Sequence, residues 1–261
     1  MRISFITLTN KGYLPYTTNC LASLKKISIY NLKCYAIGEY AYKQLLKNKI
    51  DATYIQDETN TNFQSYRQGN WADIIIYKFQ IIHDNLKNND FVCFTDGDIV
   101  FKEALFLDYC KNEIGEADLL IQNDTQDDTS RQNLCSGFMF IRSNKTTLKY
   151  FDPTYVKANS IIAKGWGDQV YINQNKEKFN YKVLPLALFP NGKYYLENHI
   201  SLAPYLIHFN WLIGHKKSAQ IVRLKECYSF QLWRLYFKEV VVEKYKNGIK
   251  RRLNRYSAVF H

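Results

Sequence analysis

Phe91-Val92-Cys93-Phe94-Thr95-Asp96-Gly97-Asp98-Ile99-Val100-Phe101 decides how the rest of this chain is read. A run such as FVCF is the pattern of a strand covered on both faces, as in the interior of an α/β sheet. The strand stops at two carboxylates separated by one glycine. Open α/β sheets bind ligands beyond the carboxyl ends of their strands, so Asp96 and Asp98 fall where a site is expected. Acids spaced this way offer several oxygens to one hard divalent cation, and Mg2+ and Mn2+ take such ligands while keeping positions for phosphate oxygens. An Asp-x-Asp pair also occurs on plain solvated turns. The apolar Ile99-Val100-Phe101 that follows argues instead for acids held between two buried segments.

Upstream of this stretch the chain alternates strand and helix. Ile3 to Leu8 reads as a first strand, and Thr9-Asn10-Lys11-Gly12 as a loop at its carboxyl end. Tyr13 to Ile27 reads as a helix, Leu32 to Ile37 as a strand, Tyr40 to Asn48 as a short helix and Ala52 to Ile55 as a third strand. A β-α-β-α-β start implies a parallel sheet with right-handed crossovers. Asn70 to Leu86 is the clearest helix, because Ile74, Ile75, Phe79, Ile82 and Leu86 recur near the helical period. Downstream, Asp118 to Gln122, Gly137 to Arg142 and Tyr181 to Leu186 read as strands, and Gly167 to Asn173 opens a helix. Asp124 to Gln132 is a polar loop with room to move. The predicted class is α/β, a Rossmann-like, mostly parallel central sheet flanked by helices. It occupies residues 1–225 as one domain, and residues 226–261 form a basic, aromatic helical appendage.

Charge supports that division. Between Lys216 and Arg255 lie twelve basic residues and three acids, so this segment carries +9 of the net +11 and the rest is nearly neutral. A nucleic-acid enzyme would spread its basic footprint over the working face, so no nucleic-acid partner is expected. Within the basic segment Phe230, Leu232, Trp233, Leu235, Tyr236, Phe237 and Val240 are interleaved with Lys and Arg. That pattern fits an interfacial helix on an anionic membrane surface, and equally a closing helix packed on the domain with its basic face solvated. No stretch approaches the roughly 18 apolar residues of a membrane span. The opening residues read as a strand rather than a signal peptide. The expected location is cytoplasmic, or peripheral on the inner face of a membrane. The six cysteines show no C-x-x-C spacing and are expected as free thiols.

Further features join the two acids. Lys78 lies on the helix before the acidic strand, within reach of a phosphate or sugar. Gly165-Trp166-Gly167-Asp168-Gln169 places an Asp-Gln pair at a helix start, where the Asp also suits a cap. Leu188-Phe189-Pro190-Asn191-Gly192 is a turn. His208-Phe209-Asn210-Trp211-Leu212-Ile213-Gly214-His215-Lys216-Lys217 ends a late apolar segment with an imidazole, a glycine and a lysine, a set that suits a metal-diphosphate site.

Taken in order, Asp96-Gly97-Asp98-Ile99-Val100-Phe101, Cys135 to Asn144 (CSGFMFIRSN), Gly167 to Asn173 (GDQVYIN), Phe189 to Gly192 (FPNG) and His208 to Lys217 resemble the nucleotide-diphospho-sugar transferase family. Its members include plant rhamnogalacturonan xylosyltransferases and, more distantly, glycogenin-like enzymes. The resemblance covers roughly residues 60–220. It implies a GT-A fold, a Mn2+ or Mg2+ ion, a nucleotide-sugar donor, commonly a UDP-sugar, and retention of anomeric configuration. By the same resemblance Asp96, Asp98 and His208 are the metal ligands, with Gly97 in the donor-binding turn. Gly214 and Lys217 match the G-x-x-K that closes over the diphosphate, and Lys78 matches a helix lysine near the donor. Asp168 and Gln169 match the pair facing the reacting sugar. The Thr7-Leu8-Thr9-Asn10 stretch would cradle the nucleoside, with Thr7, Thr9 and Asn10 as its polar contacts, and Asp124 would meet sugar hydroxyls. Two departures stand out. His208 precedes Gly214 by six residues where the glycogenin-like pattern has three, and Cys135-Ser136 stands where relatives have Asn-Thr or Asn-Ala.

The expected reaction is metal-assisted glycosyl transfer to a hydroxyl of a glycan or glycolipid. Retention requires either a carboxylate nucleophile, for which Asp168 is the candidate, or same-face attack guided by the departing phosphate. Two other readings compete. Asp96-Gly97-Asp98-Ile99-Val100 also fits the D-x-D-x-[TV] signature of haloacid-dehalogenase-type phosphatases, although that motif normally closes the first strand of its domain. A non-catalytic nucleotide-sugar binding module on the same scaffold is the other.

Overall fold

The protein is described from a computed structural model, over residues 1–59, 61–62, 71–158 and 166–242. The predicted helix start at Asn70, Gly165 and the basic residues beyond 242 lie outside the described residues.

Seven strands form the central sheet in the order β3-β2-β1-β4-β7-β6-β8. They are β1 (Ile3–Asn10), β2 (Lys33–Ile37), β3 (Ala52–Ile55), β4 (Phe91–Thr95), β6 (Leu119–Asn123), β7 (Leu134–Arg142) and β8 (Tyr181–Leu184). The first half is parallel, as the crossover pattern requires, with β1 between β2 and β4. Strand β7 runs antiparallel to both β4 and β6, and β8 returns parallel to β6. A second, two-stranded sheet pairs β5 (Ile99–Phe101) antiparallel with β9 (Leu206–His208). The fold is thus α/β, with the mostly parallel sheet flanked by helices.

The double burial read from β4 is realised residue by residue. Val92 and Phe94 enter one core cluster with Ile82, Phe79 and Tyr171. Phe91 and Cys93 point the other way, into a cluster with Phe5, Phe101, Phe106 and Phe138. Alternation across the pleat therefore gives each face of the sheet its own core. Helix α3 (Trp71–Leu86) covers the first face, with Ile75, Phe79, Ile82 and Leu86 buried.

Several boundaries differ from the sequence reading, each because of pairing. Thr9 and Asn10 are strand rather than loop, since β1 stays in register with β2 through Thr9↔Ala36 and Asn10↔Ile37. Strand β7 begins at Leu134, not Gly137, because Leu134 and Cys135 pair with Asn123 and Gln122 past an irregularity at Ile121/Gln122. Strand β8 stops at Leu184, just before Pro185, which has no N–H to continue the ladder. The polar loop 124–132 is fastened at several points. Asn191 donates to Thr125 O at 2.7 Å, Leu186 N donates to Asp128 Oδ1 at 2.6 Å, and Asn123 donates to Asp127 O at 2.9 Å.

Helix α1 (Leu14–Lys26) follows β1 and lies against β5. Near the carboxyl end of the described chain, Glu226 forms an ion pair with Lys102 at 2.7 Å. Ser229 caps a helix spanning Phe230–Tyr236. Leu232 of that helix is fully buried with Tyr16, Val100, Ile207 and Ile221. Phe230, Trp233 and Phe237 are exposed. No helix among the described residues is long and apolar enough to cross a membrane. All six cysteines are free, five of them buried.

Candidate active site

The site is built where β4 ends and the small sheet begins. Asp96 N donates to Gly137 O at 2.7 Å, which anchors the turn to β7. Gly97 faces α1 so closely that an added Cβ would lie 2.3 Å from Thr17 Oγ1 and 3.2 Å from Thr17 Cα. A side chain there would push the helix away, so the glycine between the acids is a packing requirement. Antiparallel pairing of Ile99 with His208 then carries the imidazole back beside the acids. His208 Nε2 stands 3.3 Å from Asp98 Oδ1 and 3.9 Å from Asp96 Oδ2. One donor atom from each of the three residues falls within 4.8 Å of the others.

The imidazole is held on every side. A Cβ on Gly137 would lie 2.0 Å from His208 Cε1, so the ring rests directly on the β7 backbone. His208 N donates to Pro190 O at 3.2 Å. Asn191 is fully buried, caps the next helix by accepting from Lys193 N and Tyr194 N, and donates to Asn123 O. The predicted turn at 188–192 is therefore part of the histidine's mounting.

Two buried lysines serve the acids. Lys78 Nζ donates to Asp168 Oδ2 at 2.5 Å, to Ser136 O at 2.9 Å and to Asp96 Oδ1 at 3.2 Å. Lys217, from the helix α9 spanning His215–Arg223, pairs with Asp98 Oδ2 and lies 5.6 Å from the ring centroids of both Tyr13 and Tyr16. Burial alone would raise both partner carboxyls, but Lys217 and His208 hold Asp98 far below the carboxylate range, and Lys78 holds Asp168 below it. Asp96 moves the other way: burial and the nearby Asp98 raise it against the pull of Lys78 and His208. Burial lowers His208, yet Cys135 and Asp98 outweigh it and leave the imidazole well above its ordinary value. Acids in one small volume thus occupy opposed electrostatic environments, a mark of functional sites.

These groups open onto a cleft of ≈ 780 Å³. Thr9, Asn10, Lys78, Asp96, Gly97, Asp98, Asp124, Asp168, Gln169, His208, Gly214 and Lys217 all line it. Thr7 does not, being fully buried in β1 beneath the cleft. Asp124 is set by three amides: Asn210 donates to Oδ1 at 2.6 Å, while Gln169 and Asn133 donate to Oδ2 at 2.8 and 3.1 Å. Gly214 has a φ of +55° at the cap of α9, a left-handed conformation that favours glycine.

The donor set fits a hard divalent cation. Two carboxylates and one imidazole are ligands that Mg2+ and Mn2+ accept. Asp98 Oδ1 is also buried and accepts no well-aligned hydrogen bond, its nearest charged neighbour being His208 Nε2 at 3.3 Å, so lone-pair capacity is left there for a cation.

A model of the nucleotide-diphospho-sugar transferase family matches residues 32–220. The chain belongs to that family. Among curated proteins, this transferase-family chain is 25% identical over 268 residues to the UDP-galactose:fucoside alpha-3-galactosyltransferase of Dictyostelium discoideum, covering 81% of this chain and 40% of that one. It thus spans well under half the length of that relative. Among solved structures, the galactosyltransferase LgtC with donor and acceptor sugar analogues aligns with a TM-score of 0.54 at 12% identity, over 80% of this chain and 87% of that one. Glycosyltransferase GlyE of Streptococcus pneumoniae aligns with a TM-score of 0.54 at 13% identity, over 92% and 64%. These likenesses establish the GT-A fold.

Sequence reasoning missed Gln122, Ser136, Gly137, Asn191 and Asn210 as parts of this family member's site. Ser136 Oγ donates to Asp168 Oδ2 at 2.7 Å. All but Gln122 sit inside the motifs that carried the resemblance, so their place there was the available signal. Gln122 lies in an apolar strand and had none.

Proposed function

We propose that the protein is a metal-dependent glycosyltransferase that moves a sugar from a UDP-sugar to a hydroxyl of a glycan or glycolipid, with retention. The observation that carries this reading is the Asp96–Asp98–His208 cluster, whose donor atoms lie within 4.8 Å of one another, set in the cleft beside two buried lysines. Asp96, Asp98 and His208 would hold Mn2+ or Mg2+, which offsets charge building on a leaving diphosphate and is worth several kcal/mol there.

The chain's own groups do the rest. Lys217, buried beside Asp98 on the wall of the cleft, would supply fixed positive charge to the diphosphate. Thr9 and Asn10 at the end of β1 meet the nucleoside, and Gly214 lets the α9 cap approach the phosphates. Gln169 and Asp124, already joined by a hydrogen bond, orient sugar hydroxyls. Asp168 is stabilised as an anion by Lys78 and Ser136 and is correspondingly a weaker nucleophile. That favours same-face attack: the acceptor oxygen bonds to the anomeric carbon as the sugar–phosphate bond breaks, and its proton passes to the departing diphosphate. The name of the Dictyostelium relative supports UDP-galactose as the first donor to try.

A hydrolysis screen of UDP- and GDP-sugars tests the reading. UDP release should depend on Mn2+ and vanish in EDTA. Turnover indifferent to EDTA refutes the metal role, and phosphate release from p-nitrophenyl phosphate would favour the phosphatase alternative.

The exposed face near the carboxyl end supports a peripheral membrane association. Phe230, Trp233 and Phe237 stack in succession, with centroids 6.2 and 5.4 Å apart and planes within 19°. Arg234 and Lys238 accompany them, and aromatics beside cations suit an anionic headgroup layer. Sedimentation with phosphatidylserine liposomes should retain the full chain and release a Trp233→Ser/Phe237→Ser variant. Equal recovery of the two proteins in the supernatant rules the association out.

A further inference from the structure

We propose that Gln122 is a positioning residue that fixes which nitrogen of His208 faces the cation. This rests on the reading of His208 as a ligand. Gln122 is fully buried on β6, and its Oε1 lies 3.0 Å from His208 Nδ1. The orientation of the amide is decided by its other end. Nε2 donates to Phe189 O at 3.1 Å and to Pro190 O at 3.2 Å. A flipped amide would set its oxygen against two carbonyl oxygens, so Oε1 must face the imidazole. An amide oxygen only accepts. Nδ1 therefore carries a hydrogen, and Nε2 is the nitrogen left to face Asp96 and Asp98. The thiol of Cys135, 3.5 Å from the same Nδ1, is a weak acceptor and leaves this assignment unchanged.

Histidine ligands commonly donate their second ring N–H to an oxygen, which sets both tautomer and ring angle. Here the oxygen belongs to a side chain pinned to the 188–192 turn, the same turn that receives His208 N. One buried amide thus ties the imidazole to the strand and the turn that frame it. Nε2 is thereby the ring nitrogen presented to a divalent ion, because Nδ1–H is engaged by Gln122.

Two measurements decide this. Mn2+ binding followed by EPR should weaken about 10–100-fold in Gln122→Leu, with Gln122→Glu, which keeps an acceptor at Nδ1, falling between Leu and wild type. Independently, 15N-histidine NMR of the Mg2+-loaded wild-type protein should show His208 protonated at Nδ1 and not at Nε2. Wild-type affinity in a folded Gln122→Leu protein overturns the proposal, as does an Nε2–H signal, which needs no variant to fold. If wild type binds no Mn2+, the metal reading itself fails and takes this one with it. Asp98→Asn, which should lose binding altogether, calibrates the EPR response.

Discussion

Asp98→Asn should lower nucleotide-sugar turnover by roughly 10³-fold or more, because it removes the best-placed oxygen for the cation whose charge the leaving diphosphate requires. The substitution preserves shape but not charge. Asp98 is buried between His208 and Lys217, so asparagine leaves two cations facing each other in a dry pocket. Breaking a buried pair by removing one partner costs about 3–5 kcal/mol. His208 can relieve part of this by shedding its proton, and Lys217 keeps the faces of Tyr13 and Tyr16. A thermal midpoint lowered by roughly 5–10 °C is therefore expected. Circular dichroism well below that midpoint should show an intact fold. Turnover within tenfold of wild type under those conditions would mean that Asp98 is not a ligand.

Gly137→Ala should be nearly as damaging, although Gly137 offers no side chain to any ligand. Its Cβ would fall 2.0 Å from His208 Cε1 and 2.8 Å from each ring nitrogen. Overpacking of this kind costs about 1–3 kcal/mol. The ring cannot slide, because Gln122 and Asp98 hold its edges and β5 holds its backbone. It must turn out of the site, and Mn2+ affinity should fall by about 100-fold, as for loss of the ligand. Isothermal titration of Gly137→Ala, His208→Ala and the double variant checks this. If the ring is the target, the double variant binds no worse than His208→Ala alone and is more stable than Gly137→Ala, the non-additivity expected of groups in contact. Affinity within about threefold of wild type in Gly137→Ala would sink the argument.

The parts of this molecule that were legible in sequence share one property: they are local. Strand β4 announces itself because both faces are covered, so every residue from Phe91 to Phe94 is apolar. Helix α3 is visible through its repeating buried face. Asp96, Asp98, His208, Asp168, Gln169 and Lys217 carry chemistry in their side chains and sit in short motifs, Lys78 lies on that helix, and all seven line the cleft. What sequence concealed depends on distant pairing. The β5–β9 sheet joins Ile99 to His208, and nothing in either three-residue run names its partner. The extension of β7 to Leu134 follows from a bulge opposite β6. Gln122 reads as one more residue of a buried strand until His208, 86 positions away, is folded against it. Thr7 shows the opposite difference. A residue in a motif-bearing stretch was expected at the nucleoside, but Thr7 shares its face of the strand with Thr9 one step further from the carboxyl end, and it is buried beneath the cleft that Leu8 and Thr9 line.

The central claim is that a divalent ion is gripped by Asp96, Asp98 and Nε2 of His208 while a nucleoside diphosphate is bound. Crystals soaked in MnCl2 and UDP, with data collected near the manganese edge, test it most directly. The account predicts one strong anomalous peak bonded to all three side chains and to diphosphate oxygens, with Lys217 displaced from Asp98 toward the phosphates. Ordered UDP in the cleft with no anomalous peak, and Lys217 still paired with Asp98, would contradict it.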